Sequence, residues 1–174
     1  MDSRANGDDT ARGTGTSTSS RGPDMADRVS VSITIGGNLP ADQVPKLIEL
    51  ANASGLTLEW EGEALSDDDI KSGEHLRMRA HDVTIGDVDE IEEFCCTNDL
   101  PFVCWTDGSA GSFNPETIIW VGEGPRHSFN ATGDSKTLIS EEEARELGSY
   151  EAILKHFALG SFEPPVLTIV PTNS

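Results

Sequence analysis

The residues of this chain whose types could do chemistry are three cysteines, four histidines and several runs of carboxylates. Cys95 and Cys96 are adjacent and Cys104 follows eight residues later. A closed zinc site needs paired thiolates two to four residues apart, so this spacing is a poor metal motif. Cys95 falls on the apolar side of a predicted helix, and Cys104 shares a strand face with Phe102. Both read as small buried hydrophobes. Cys96, late in that helix among Glu92, Glu93 and Asp99, is in surroundings that disfavour a thiolate. His75, His81, His127 and His156 are candidate bases. No G-x-S-x-G elbow accompanies them, since Gly108-Ser109-Ala110-Gly111 is too short. An enzyme built here would draw on His81, Asp107 and His127, polar positions at strand ends.

The Gly36-Gly37 turn stands where phosphate loops stand, between a strand and a helix. It carries neither the dinucleotide fingerprint nor the P-loop lysine, and reads as an ordinary turn. Asp67-Asp68-Asp69 invites a calcium reading, but the alternate ligand spacing, the glycine and the distal glutamate are missing. Ser66 with Asp69 three residues on is instead a capping pair. No metal or cofactor is expected.

Charge constrains function more than any motif. The chain carries 31 acidic and 12 basic residues for a net −19. Four Asp against three Arg leave residues 1–24 at −1, so residues 25–174 hold about −18. Such a field repels nucleic-acid phosphates and anionic membranes, whose binding needs Lys and Arg to displace counterions. It attracts basic protein surfaces. Acidity also serves solubility, and with only four lysines the composition fits adaptation to high salt.

The elements that must position these residues are legible from periodicity. Residues 1–24 are Gly, Ser, Thr, Asp and Arg without period, the composition of a disordered arm. Residues 25–174 read as one α+β domain. A strand at 28–35 alternates Val29, Val31, Ile33 and Ile35 with Ser and Thr. A helix over 40–54 follows, with Val44, Leu47, Ile48 and Ala51 on one face. Strands are predicted at 56–63, with Leu56, Leu58 and Trp60 on one side, and at 75–83. A helix at 87–98 has Val88, Ile91, Phe94 and Cys95 on its apolar face, and a strand at 100–106 follows. That β-α-β-β-α-β order is the split, ferredoxin-like arrangement.

A C-terminal β-β-α-β extension follows. It has a strand at 117–121, a hairpin over 126–139, a helical stretch from Ser140 to about Leu159 broken at Gly148-Ser149, and a strand at 166–170. That helical pair has a helix-turn-helix outline, but its glutamates make it a poor reader of DNA. Trp60, Trp105 and Trp120 fall on predicted strands, part of this set would line the sheet face opposite the helices, and the extension is expected to cover that face.

The odd cysteine count, the absence of a signal segment and the lack of a long apolar run point to a cytoplasmic protein. The expectation is a non-enzymatic protein that binds a basic protein partner, with no direct nucleic-acid or membrane binding. Its sharpest form is an inhibitor that imitates nucleic-acid charge, as anti-restriction or anti-CRISPR proteins do. The carboxylates nominated for docking are Asp67, Asp68, Asp69, Glu90, Glu92, Glu93, Glu141, Glu142 and Glu146. A small enzyme and a salt-adapted housekeeping domain are the alternatives.

Overall fold

The computed structural model describes residues 28–109 and 112–172, so the reading of residues 1–24 lies outside the described residues. The fold is mixed α+β, as expected. Its main sheet is antiparallel, with strands β1 (Arg28–Ile35), β3 (Leu76–Thr84), β4 (Phe102–Thr106), β5 (Glu116–Trp120) and β6 (His127–Asn130). They lie in the order β3-β1-β4-β5-β6. A separate parallel pair joins β2 (Gly37–Pro40) to β7 (Leu167–Val170). The helices are α1 (Val44–Ala53), α2 (Asp89–Thr97), α3 (Glu141–Leu147) and α4 (Tyr150–Gly160).

The period-two pattern of β1 divides the sheet into two unlike faces. Val29, Val31, Ile33 and Ile35 are buried, together with Leu76, Met78, Phe102 and Cys104 of the neighbouring strands. Val44, Leu47 and Ala51 of α1 and Ile91, Phe94 and Cys95 of α2 close over them in one core. At about 1.5–3 kcal/mol for each fully buried large aliphatic or aromatic side chain, this layer dominates stability. Ser30, Ser32 and Thr34 point to the opposite face. There Ile119 and Phe129 are buried towards the β6 edge, where Phe129 meets His156 of α4 edge to face at 4.8 Å.

The predicted strand over 56–63 does not form. Leu56 is buried, but only Thr57 pairs, through a single antiparallel bridge to Arg79. The Thr57 hydroxyl donates to the Glu59 carbonyl, and Gly62 N–H bonds back to Glu59. This local competition for backbone groups turns the chain out of the sheet. Leu58 and Trp60 therefore stand exposed and do not continue a ladder.

Other departures are local. The helix expected from Pro40 begins at Val44, because Gly37–Pro40 is engaged by β7 and Ala41–Gln43 is a 3-10 turn. The cap before α2 is the Thr84–Asp87 box, not an Asp87–Glu90 pair. The hairpin over 126–139 reduces to β6 and a bridge between Ala131 and Thr137. The break in the C-terminal helix falls where expected. Gly148 takes a left-handed φ of 77°, and Ser149 caps α4 by accepting from Ala152 N–H.

Gly36 shows why that turn is glycine. A Cβ there would lie 1.8 Å from the Pro165 carbonyl oxygen, where the chain comes back to seat β7 against β2. Gly36→Ala is expected to lose about 2–3 kcal/mol in urea unfolding through this overpacking. Gly86→Ala, with its nearest neighbour 4.0 Å away, should stay within about 0.5 kcal/mol of wild type.

Candidate functional site

The bare part of the second sheet face forms the floor of a groove. The register sets Arg79, Ser32, Trp105 and Thr117 in one row across four adjacent strands. Trp60 rises on one side; the Gly133–Ser135 turn and the Gly160–Glu163 segment stand on the other. The cavity is about 580 Å³, within the range of small-ligand sites. C-terminal segments thus cover this face only in part.

The Trp60 wall is an assembled unit. The Trp60 indole stacks on the His81 ring with centroids 4.0 Å apart and planes 21° from parallel. The Arg79 guanidinium lies 5.6 Å from the Trp60 ring centroid. Across the floor, the Trp105 indole N–H donates to the Thr132 carbonyl at 3.2 Å. Thr117 is 4% exposed, and its hydroxyl has no hydrogen-bond partner among the described residues. The His156 Nε2 is likewise buried and unpartnered.

Two of the three polar residues named for an enzyme come together at one end of β1. Ser30 Oγ and His81 Nδ1 are 3.0 Å apart, and Ser30 N–H donates to Asp107 Oδ1 at 2.6 Å. A bulge opposite Val29–Val31, with Asp82 at φ 56°, aims His81 at Ser30. The geometry is not that of a triad, in which the acid orients the base. Here the carboxylate binds the serine's own amide instead of the imidazole. His127 lies on β6, two strands beyond β4. His75 is engaged elsewhere, with Nε2 3.0 Å from the Pro164 carbonyl oxygen.

The nominated carboxylates fall in three separate places. Asp67, Asp68 and Asp69 form a 3-10 turn after Ser66. Asp69 accepts from Ser66 N–H at 2.8 Å, and this bond holds its carboxyl below the usual range. Glu90 and Glu93 are exposed on α2. Glu141, Glu142 and Glu146 are exposed on α3, which is tied to the β6 edge by Asn130 donating to Glu143.

Glu92 departs from its expected surface role. It is 3% exposed, faces the core, and accepts from Arg126 at 3.0 Å. Burial pushes its carboxyl pKa up, while the Cys104 thiol and Arg126 pull it down. Burial likewise raises the Cys95 and Cys104 thiols, which fits inert core cysteines. Among the described residues no three His, Cys, Asp or Glu side chains gather as a metal site. No helix there is long and apolar enough to cross a membrane.

No protein-family model, curated protein or solved structure matches this chain.

Glu92 yields a pH test. The folded state holds the Glu92 proton more tightly than the unfolded chain does. Its contribution to stability therefore grows as pH falls from the raised pKa towards the ordinary carboxylate range, and charged Glu92 is a net cost at neutral pH. Glu92→Gln should stay within about 1 kcal/mol of wild type at pH 7 and lose wild type's relative gain on acidification. Arg126→Ala, which strands the buried charge, should cost about 2 kcal/mol at pH 7, less than a fully buried pair because Arg126 is partly exposed. Thermal melts of the three proteins from pH 7 to about pH 4.5 measure both effects.

Proposed function

We propose that this chain is a non-enzymatic interaction protein that docks a carboxylate-rich surface on a basic protein partner. The observation that carries the reading is uncompensated outward charge. Glu90, Glu93, Glu141, Glu142 and Glu146 are exposed, and of these only Glu141 meets a cation at ion-pair distance among the described residues, Arg145 on the next turn of α3. Fields of this kind steer association with oppositely charged surfaces and set its salt dependence.

The three clusters do not join in one strip. The Asp67–Asp69 turn lies near the β3 end of the molecule and α3 near the β6 end. Docking is therefore assigned first to α3, the densest run, with the remaining charge acting as long-range field. An inhibitor that occupies the basic groove of a nucleic-acid-handling enzyme is the sharper form of the same proposal. We also read β1, α1, β3, α2 and β4 as a reduced split β-α-β core, its second strand worn down to the Thr57 bridge.

The test is capture of a basic partner from host lysate, its identification, and titration of the purified pair. Affinity should fall steeply between about 0.05 and 0.5 M salt as the charges are screened. Nucleic acid should compete if the target is such an enzyme. Glu141→Lys/Glu142→Lys/Glu146→Lys should weaken binding by at least tenfold, about 1.4 kcal/mol, in a variant whose cooperative melting curve shows that it remains folded. A triple variant that binds as tightly as wild type at low salt would remove α3 from the interface.

A further inference from the structure

We propose that the groove on the open sheet face binds a small anionic ligand with a planar ring, of the chemistry of a nucleoside monophosphate. This site is independent of the acidic docking surface. It begins from an uneven distribution of cations. Arg28, Lys46, Arg126, Lys136, Arg145 and Lys155 each have a carboxylate at ion-pair distance. Among the described residues, Lys71, Arg77 and Arg79 have none, in a chain with 31 acidic residues. All three lie on β3 or just before it.

Of the three, only Arg79 lines the groove. Its guanidinium is placed by the Trp60 ring, which His81 in turn supports by stacking. An aromatic face orients a guanidinium without using its N–H donors. Arg79 is thus held in position with its hydrogen-bonding fork uncommitted to any acid, the arrangement suited to a phosphate or carboxylate.

The rest of the groove fits what would be attached to such an anion. Trp60 and Trp105 line the groove together with the short residues Ser32 and Thr34, and their rings offer aromatic surface to a flat ring. Thr117 in that floor is 4% exposed, and its buried hydroxyl has no hydrogen-bond partner among the described residues, a polar group left costly beneath the groove. The far wall carries Asp134 and Glu163. These would repel the ligand's anion and accept from its hydroxyl or amine donors, so the ligand has one orientation, anion towards Arg79.

Intrinsic tryptophan fluorescence and calorimetry at about 0.15 M ionic strength test the site, since long-range repulsion is screened there beyond roughly 8 Å. The probes are the four ribonucleoside monophosphates, the matching nucleosides and inorganic phosphate. At least one monophosphate should bind saturably, its nucleoside and phosphate alone more weakly. Arg79→Ala and Trp60→Ala should each weaken binding about 10- to 100-fold, as expected for loss of charge-assisted hydrogen bonds or of their positioning. Lys155→Ala, on the exposed side of α4, should leave it unchanged, and melting curves should show all variants folded. No saturable signal with any monophosphate would overturn the proposal, as would binding insensitive to both groove variants. Nucleoside binding as tight as the monophosphate's would remove the anion, and phosphate binding as tight would remove the ring.

Discussion

β1 pairs with β3 on one side and β4 on the other, and the strict alternation along it decides what each sheet face can become. Val31, Ile33 and Ile35 are fully buried under α1 and α2. Because the side-chain period of a strand is two, the same pairing that sinks these three residues must lift Ser30, Ser32 and Thr34 to the other side. A register slip by one residue would exchange the faces and bury three hydroxyls in the core. The groove floor is therefore a consequence of how the core is made.

That second face is incompletely roofed, and the helices beside it are shallowly seated. Neither α3 nor α4 has a buried residue. α4 meets Phe129 near β6 through His156 and stops at Gly160, where the Thr137 hydroxyl donates to the Gly160 carbonyl. Towards β3 the sheet is open, and the chain that should have extended it there leaves as the Thr57–Gly62 turn. One local event, Thr57 bonding to Glu59, both denies the sheet a strand and stands Trp60 up as a wall.

How far the sequence could show this follows from the range of each interaction. β1, the buried faces of α1 and α2, the Ser66–Asp69 cap and the Gly148 break are set within a few residues, and periodicity or capping chemistry displays them. The β2–β7 pair joins segments some 130 residues apart, and nothing local announces it. Glu92 is intermediate. It lies four residues after Val88 and three before Cys95, at the border of the apolar arc of α2, a position open to burial or exposure. Its run of acidic neighbours suggested a surface. Arg77, Arg79 and His81 were visible as one outward row of β3, but the cage of Trp60 on Arg79 required the turn at 57–62.

The charge of the whole chain and Arg79, which has no carboxylate at ion-pair distance among the described residues, act on different length scales. Repulsion from a net −19 grows with every phosphate that a ligand brings near the surface, so a nucleic-acid polymer meets the full field. A ligand with one anionic group inside the groove would meet Arg79 at contact distance, while carboxylates more than a Debye length away would be screened. Overall acidity and a local cationic site are thus compatible, and together they select by size. On the two proposals made above, the field would disfavour the polymer while the groove would take a small anion and the outer surface a basic protein.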